Sequence, residues 1–358
     1  MQSGKITKRT ERQGGWRGMY LISVIAGMAV LSLVAGAASA QDQASNSVKG
    51  LRVLLTNDDS IQGTKAMGHD GLGLYQLRKT LCAAGADVIV IGPWGRQSGK
   101  GGAITTGGKL TIQAVTPPKA FTTDCKNSPS GGKVFGVCAS EACEKNAPSG
   151  SPSDSVALAL TRFIPENIWP KGPDVVLSGI NFGPNPGLAA FHSGTVSAAV
   201  TACEFGTSGI AFSEEVDLGC LDDPNLCPDF KDQAEFAVKL IGALRSEGLI
   251  GEPKLLLNVN YPVIKKGETL GKPELTAHGT GNLLATVYNG KVGAVGGSYD
   301  VDFVESTPES RPRADTTALI NNNISIAPMD GDWTAGLRDA TLDSIVKRVG
   351  AVVEQLAQ

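Results

Sequence analysis

The alternation of apolar runs with helical patterns is the feature that most constrains the fold of this chain. The run "LRVLLT" at 51–56 is typical of a buried strand, "LGLYQLRKTLCAAG" at 72–85 of a helix with three leucines on one face, and "ADVIVIGP" at 86–93 of a second buried strand. A strand–helix–strand unit predicts parallel strands joined by a right-handed crossover. The sequence therefore predicts an α/β fold with a mostly parallel sheet.

The same alternation continues for about two hundred residues. Ser151 and Pro152 suit the N-cap and first position of a helix over 151–164. The elements predicted after it are a strand at 173–181, a helix at 193–206, and strands at 208–213 and 253–262. The patterns at 51–56, 86–93 and 173–181 contain nearly continuous apolar runs, which favours burial on both faces of a parallel sheet.

Three segments depart from this pattern. Residues 113–150 are rich in Lys, Pro, Ser, Gly and Cys and are interpreted as a surface insertion. Residues 263–327 indicate β-hairpins and loops, and 335–356 indicate a terminal helix. No internal repeat is visible.

Residues 1–40 have the pattern of an export signal. Five basic residues precede the apolar stretch "MYLISVIAGMAVLSLVAG", and Ala38-Ser39-Ala40 forms a small-residue cleavage site. The alternative is an uncleaved membrane anchor, because the apolar stretch is almost long enough to span a bilayer. Cleavage predicts a mature chain 41–358 that starts at Gln41, carries no membrane span and resides in the periplasm or outside the cell.

The charge balance argues against a nucleic-acid polymer as partner. The whole chain has a formal charge of −3, and removal of residues 1–40 leaves 27 basic against 34 acidic residues, about −7. Nucleic-acid binders carry basic patches, and no basic run follows the signal. An anionic ligand must therefore be held locally, by a metal ion or by backbone amides.

The seven cysteines suit an oxidising compartment. Cys220 and Cys227 flank a short loop and predict one disulfide, and the cluster Cys125, Cys138 and Cys143 predicts another, with one thiol of the cluster unexplained. Cys82 and Cys203 lie in apolar helical patterns and are expected to be buried free thiols. No C-x-x-C pair is present, which disfavours a zinc ribbon.

Polar side chains gather where the predicted strands end. They are Asn57, Asp58 and Asp59 after the first strand, Arg96 and Ser98 after the second, and Ser178, Asn181 and Asn185 at the third. The carboxyl ends of parallel strands meet at one edge of a sheet, where α/β proteins bind ligands. Oxygen ligands favour Mg²⁺, Mn²⁺ or Ca²⁺, and a divalent cation would neutralise the adjacent aspartates.

The segment "HSGTVSAA" begins a predicted helix beside this edge. The free N–H groups at a helix start attract anions, and the hydroxyls of Ser193 and Thr195 would add hydrogen bonds. A metal beside an anion site indicates phosphate chemistry. Each motif alone also fits ordinary structure: "NDD" an Asx-turn, "SGT" an N-cap, "GINFG" a turn and 99–108 a flexible loop.

Two other enzyme classes lack their motifs. A serine hydrolase requires a G-x-S-x-G elbow after a strand, which the chain does not contain. A dinucleotide oxidoreductase requires G-x-G-x-x-G after the first strand, where this chain has "TNDDSIQG".

The chain resembles the SurE family, the survival-protein 5'-nucleotidases that are also described as metal-dependent acid phosphatases. Seven segments carry the resemblance in order across most of 51–335. They are "LLTNDD" at 54–59, "GPWGRQSGKGGAIT" at 92–105, "GSPSDSVALAL" at 150–160, "PDVVLSGINFGPN" at 173–185, "HSGTVSAAVTACEFGTSGIAFS" at 192–213, "LLNVNYP" at 256–262 and "DTTALINNNISIAPMDGDW" at 315–333.

The resemblance implies a three-layer Rossmann-like fold with a β-hairpin extension near the C-terminus, used to form a homodimer or homotetramer. It implies one divalent metal ion, Mg²⁺ or Mn²⁺ with Ca²⁺ as a further option. The implied metal ligands are Asp58, Asp59, Ser98 and Asn181, with Asp58 and Asp59 also catalytic. The implied phosphate-binding residues are Asn57, Ser193, Gly194 and Thr195.

The sequence also departs from the family pattern. Ser60 stands where the family usually has glycine, so a positive φ at this position would strain the backbone. The loop 61–71 is longer than usual and contains His69, which is interpreted as an exposed loop residue rather than a group that approaches the leaving group.

The leading hypothesis is an exported phosphomonoesterase that hydrolyses nucleoside monophosphates by attack of a metal-activated water. The alternatives are a broad-specificity acid phosphatase and a non-catalytic nucleotide- or metal-binding protein. The family is largely intracellular, so export would favour phosphate scavenging.

Overall fold

The computed structural model describes residues 48–62, 71–221, 223, 226–291, 293, 295–305 and 309–329. The predicted signal 1–40, the start at Gln41, His69 and the predicted helix 335–356 lie outside these residues. Over the described part of the chain, every helix is too short or too polar to cross a lipid bilayer.

Eleven strands are found in the described residues. They are β1 (Arg52–Thr56), β2 (Asp87–Pro93), β3 (Thr111–Val115), β4 (Val134–Cys138), β5 (Val175–Phe182), β6 (Ser208–Glu214), β7 (Leu256–Tyr261), β8 (Pro273–Leu275), β9 (Leu284–Asn289), β10 (Asp300–Glu305) and β11 (Ile324–Pro328). Nine of them form one sheet in the order β3-β4-β2-β1-β5-β6-β7-β11-β8. The six strands from β4 to β7 in that order are parallel, so the prediction of a mostly parallel sheet is confirmed.

The helices cover both faces of this sheet. They are α1 (Leu72–Ala83), α2 (Pro152–Leu158), α3 (Ile164–Asn167), α4 (Gly194–Glu204), α5 (Lys231–Ser246) and α6 (Asp315–Ile320), with a π-helical turn at Ala159–Phe163 between α2 and α3. Val53 and Leu55 pack with side chains of α1 and α5, whereas Leu54 packs with side chains of α2 and α4. Because both faces are buried, the first strand is apolar without alternation.

The predicted start of the 151–164 helix is confirmed in detail. The Ser151 hydroxyl accepts the Asp154 N–H at 2.9 Å, and the Asp154 carboxylate accepts the Ser151 N–H at 2.9 Å. This reciprocal pair is a capping box, with Pro152 at the first helical position. The same carboxylate also accepts the N–H and hydroxyl of Thr105, which fixes the far end of the glycine-rich loop.

The interpretation of 113–150 as a surface insertion is wrong in part. β4 pairs in parallel with β2, and β3 pairs antiparallel with β4, so this segment extends the central sheet by two strands. The strand "VFGVC" is short and flanked by glycine, lysine and serine, which gave it the composition of a loop. The C-terminal hairpin is confirmed, since β9 and β10 pair antiparallel as a separate two-stranded sheet.

The disulfides correct one cysteine assignment. The bridges Cys220–Cys227 and Cys138–Cys143 agree with the expectation, and Cys203 is a free, half-buried thiol. Cys82 is not a free thiol, because it pairs with Cys125. The buried Arg78, one turn before Cys82, donates to the carbonyls of Phe121, Asp124 and Gly132, so the 121–132 loop lies over the end of α1.

Candidate active site

The predicted acidic pair lies at the carboxyl edge of the sheet, between β1 and its parallel neighbour β5. Asp58 and Asp59 follow β1 after Asn57 and are each only 2% exposed. Asn181, near the end of β5, is also buried. Two like charges side by side in a buried position are unfavourable unless something compensates them.

Asn57 organises this edge with both ends of its amide. Its Oδ1 accepts the Asp58 N–H and the Thr195 hydroxyl, each at 2.9 Å. Its Nδ2 donates to Asp59 Oδ2 and to the Ile180 carbonyl, each at 3.1 Å. Asn57 therefore connects the two aspartates, β5 and the start of α4, and its side chain has no hydrogen-bonding position left for a phosphate in this arrangement.

Asp58 lies against the first turn of α4. The Thr195 hydroxyl lies 2.8 Å from Asp58 Oδ1, and the Thr195 N–H donates to Oδ2 at 3.2 Å. Burial raises the pKa of the Asp58 carboxyl, and hydrogen bonds from Thr195 and Gly194 oppose this rise. The packing is tight, because a Cβ on Gly194 would come within 2.8 Å of Asp58 Cβ.

Asp59 is bound to the end of β5. Its Oδ2 accepts the Phe182 N–H at 2.9 Å in addition to the Asn57 amide. The neighbouring Asn181 donates its Nδ2 to the Gly183 carbonyl at 2.8 Å, which turns the amide and leaves Oδ1 as its ligand atom. Asn57, Asp58, Asp59 and Asn181 are thus brought together as the sequence predicted.

Ser98 differs from the other predicted ligands because its side chain is exposed. Its Oγ accepts a hydrogen bond from Arg96 Nε at 2.9 Å. The loop that carries Ser98 is nevertheless fixed beside the aspartates, since the Gln97 N–H donates to the Asp58 carbonyl at 2.7 Å and the Gly101 N–H to the His192 carbonyl at 3.0 Å. Ser98 lies on this loop between the two attachments.

In the predicted phosphate turn at 193–195, the N–H groups of Gly194 and Thr195 already donate to an acceptor within the protein. Ser193 is the N-cap of α4, and its hydroxyl accepts the Val196 N–H at 3.2 Å. The donors of Gly194 and Thr195 are directed at Asp58. The anion that the structure places at this helix start is therefore the Asp58 carboxylate, and the phosphate-binding role of these residues stays a prediction.

The donor set fits a hard divalent cation. It offers two carboxylates, an amide oxygen and a nearby hydroxyl, and burial of Asp58 disfavours its charge in the absence of a cation. Among the described residues, no group of three or more His, Cys, Asp or Glu side chains is arranged to hold a metal ion. The oxygen ligands of the donor set suit Mg²⁺, Mn²⁺ or Ca²⁺ better than a zinc or other soft-metal centre.

Ser60 has the positive φ that the sequence analysis identified as unfavourable for a serine. Its φ is 86°, in the left-handed region that favours glycine, and the residue is buried immediately after the aspartates. Its hydroxyl accepts the Gln62 N–H at 3.3 Å. The serine thus adopts a backbone conformation that favours glycine.

Sequence reasoning missed a set of buried amides behind this edge. The side chains of Asn258 and Asn260 on β7 hydrogen-bond to the backbone of Asn185. The signal was present in "LLNVNYP", where asparagines alternate with apolar residues in a fully buried strand. Such buried amides require partners, which the sequence alone does not identify.

Taken together, one edge of the α/β sheet carries two buried aspartates, a buried asparagine and the start of a helix. A family model described as "Survival protein SurE" matches residues 53–283, which is more than half of the chain. The chain belongs to the SurE family, as its motifs predicted.

Individual relatives agree with this assignment. The chain is 34% identical over 221 residues to a protein named 5'-nucleotidase SurE from Solidesulfovibrio magneticus, which covers 62% of this chain and 68% of that protein. It is 32% identical over 291 residues to the 5'-nucleotidase SurE of Synechococcus elongatus, covering 79% of this chain and 95% of that one. The crystal structure of the SurE protein from Aquifex aeolicus matches with a TM-score of 0.55 and 24% identity, over 78% of this chain and 94% of that chain, which supports the fold.

Proposed function

We propose that this protein is a divalent-metal-dependent 5'-nucleotidase that hydrolyses nucleoside monophosphates to nucleoside and phosphate. The family assignment and the names of its relatives support a nucleotidase. The observation that carries the proposal is the contact between the Asp58 carboxylate and the first turn of α4, at 2.8 Å and 3.2 Å, because it joins the candidate metal and phosphate groups in one site.

In this proposal Asp58, Asp59, Ser98 and Asn181 hold Mg²⁺ or Mn²⁺, with Ca²⁺ as a further option. A bound cation would polarise a phosphoryl oxygen and lower the pKa of an attacking water. Asp59 orients that water, since its Oδ2 is fixed by the Phe182 N–H and by Asn57. Ser193, Gly194 and Thr195 hold the phosphate, for which the N–H groups of Gly194 and Thr195 must exchange Asp58 for a phosphate oxygen. Asn57 supports this turn by accepting the Thr195 hydroxyl.

The experiment is phosphate release by the purified, disulfide-bonded protein. The substrates are 5' and 3' nucleoside monophosphates and an aryl phosphate, with EDTA, Mg²⁺ or Mn²⁺. The expected result is metal-dependent release with a preference for 5' nucleotides. Equal kcat/KM on the aryl phosphate would favour a broad acid phosphatase, and Mn²⁺ binding without any release would favour a binding protein.

Asp59→Asn tests the acidic pair directly. It should remove nearly all activity while the circular dichroism spectrum and unfolding midpoint remain those of a folded protein. Asp302→Asn, on the exposed β10 strand, is the matched control and should leave activity unchanged. Unchanged turnover of the Asp59 variant, or full activity in a metal-free sample, would contradict the proposal.

We further propose that the protein is exported to the periplasm or the medium, with residues 1–40 removed as a signal. Three disulfides among the described residues support this, since disulfides are rare in cytosolic proteins. N-terminal sequencing of protein from the native host should find Gln41. An intact Met1 on a cytoplasmic product would contradict export.

The hairpin supports a homodimer or homotetramer. Tyr288, Val301 and Phe303 share one face of β9–β10, and each is more than half exposed. A second copy of the chain would cover this apolar face. Light scattering should show a smaller species for Phe303→Asp than for Val304→Asp on the opposite face, whereas equal masses would contradict this use of the hairpin.

A further inference from the structure

A short segment connects the two halves of the candidate site. Residues 183–187, "GPNPG", follow Asn181 on β5 and lead into the 3-10 helix Gly187–His192, which ends at the Ser193 cap of α4. The position of Asn181 relative to the phosphate turn at 193–195 therefore depends on the contacts that hold this segment in place.

Two asparagines of β7 hold the centre of the segment by its main chain. The Asn185 N–H donates to Asn260 Oδ1 at 2.7 Å, and Asn258 Nδ2 donates to the Asn185 carbonyl at 2.8 Å. A backbone N–H only donates and a carbonyl only accepts, so the two amides must be oriented oppositely. The Asn185 side chain completes the arrangement by donating to Ser213 Oγ at 2.8 Å.

The strand register connects this clamp to the candidate ligand. Asn181 is opposite Ser213 on β6, Ser213 is opposite Asn260 on β7, and Asn260 is opposite Ser325 on β11. One row across four strands therefore contains the candidate ligand, the acceptor of the Asn185 side chain and the Asn260 clamp. Movement of β7 relative to β5 would therefore displace the Asn260 clamp relative to the candidate ligand Asn181.

Packing alone does not explain amides at these positions. Asn258 and Asn260 are fully buried, and among the described residues Asn258 Oδ1 and Asn260 Nδ2 have no hydrogen-bond partner. A buried polar atom without a partner is unfavourable, so an apolar side chain would suit the core better. The side chains of Asn258 and Asn260 instead supply the two hydrogen bonds to the main chain of Asn185.

We propose that Asn258 and Asn260 are positioning residues that hold segment 183–187 and thereby fix Asn181 relative to the 193–195 turn. The inference rests on the proposed metal site. It predicts that loss of the clamp weakens metal binding before it abolishes the fold, as is common for groups that support metal ligands.

The test compares three variants of the full-length, disulfide-bonded protein. Asn260→Leu removes the acceptor for the Asn185 N–H. Asn260→Asp retains an acceptor oxygen in either protonation state and serves as the conservative rescue. Ser325→Ala is the matched control, since Ser325 is fully buried in the same row and its hydroxyl has no partner among the described residues.

Two readouts are independent of activity. The first is Mn²⁺ binding by calorimetry. The second is hydrogen exchange of 183–187, in which Pro184 and Pro186 leave only the amides of Gly183, Asn185 and Gly187. These amides donate to the Glu214 carbonyl, Asn260 and Asp315, respectively, so all three should be protected in the wild type.

The expected result is that Asn260→Leu weakens Mn²⁺ binding by about 10- to 100-fold and exposes one of the three amides. Asn260→Asp and Ser325→Ala should keep wild-type protection and bind Mn²⁺ much more tightly than Asn260→Leu. If the Asn185 amide of the Asn260→Leu variant exchanges freely while the variant binds Mn²⁺ with wild-type affinity, the positioning role is overturned. The proposed function is not affected by that result. Free exchange of that amide in the wild type would overturn the positioning role without any variant, so a variant that fails to fold leaves the test intact. Absence of Mn²⁺ binding by a folded wild type would instead overturn the proposed function, and the positioning role with it.

Discussion

Replacement of Glu214 by Gln should remove a loss of folding stability that the wild type shows as the pH rises. Glu214 ends β6, and one of its carboxylate oxygens, Oε2, is buried without a hydrogen-bond partner among the described residues. Burial, together with the negative charges of Asp229 and Asp232, raises the pKa of this carboxyl from 4.5 to about 8. The folded protein therefore keeps this proton at a pH where the unfolded chain has lost it.

The sign and size follow from proton linkage. Below the unfolded pKa both states are protonated, so Glu214 has no effect; as the pH rises towards 8, the unfolded state is favoured because it alone ionises. Each pH unit in this window lowers the free energy of unfolding by about 1.4 kcal/mol. Between about pH 5.5 and about pH 7.5 the loss is roughly 2.5 kcal/mol.

The assay is urea unfolding of the wild type and Glu214→Gln at these two pH values. Glu215, whose pKa is also raised by burial, and other groups contribute to the slope of both proteins, so the quantity of interest is the difference between the two slopes. Glu247→Gln, an exposed residue after α5, should keep the wild-type slope. If the wild type and Glu214→Gln lose the same stability over this range, Glu214 does not retain its proton in the folded state and the reasoning fails.

Two further predictions concern the site and the disulfides. Gly194→Ala should lower kcat/KM for phosphate release by about a hundredfold, because its Cβ would displace Asp58, with which it would be 2.8 Å apart. Gly102→Ala, whose Cβ would meet nothing closer than 3.8 Å, should be nearly neutral, and equal activity of the two variants would contradict the packing argument. Removal of Cys82–Cys125 by paired Cys→Ala changes should cost about 4 kcal/mol of unfolding free energy, against about 2 kcal/mol for Cys138–Cys143, since the sequence separations are 43 and 5. Urea unfolding of both double variants checks this order, and an equal or reversed cost would refute the loop-length argument.

Most of the fold could be predicted from patterns among residues that are close together in the sequence. The Ser151 N-cap with Pro152 and the apolar run of β1 each lie within a few residues of sequence, and both were predicted from it. Ser60 shows that a departure from a family pattern is informative too, because the residue at this departure has a positive φ. These features depend on neighbours along the chain, so a single sequence contains what is needed to infer them.

The features that sequence reasoning missed depend on partners far apart in the chain. Cys82 pairs with Cys125 where the 121–132 loop lies against α1, and Arg78 of α1 donates hydrogen bonds to this loop. The strand β4 was not predicted because its flanking residues are typical of loops. Its partner β2 is about forty residues away in the sequence, so no local pattern indicates the pairing. Likewise, no local pattern shows that the Thr195 hydroxyl binds Asp58, 137 residues away.

That last contact changes how the site should be understood. With 35 acidic and 32 basic residues, the chain has no overall positive potential to attract a phosphate, so recognition depends on short-range donors. The donors at the start of α4 are already directed at Asp58, which means that a carboxylate and an incoming phosphate compete for the same N–H groups. In the proposed function, a divalent cation is what allows both negative groups to occupy this space, since it attracts each of them. The proposal therefore predicts that metal and phosphate bind as one coupled site, with Asp58 as the residue through which each affects the other.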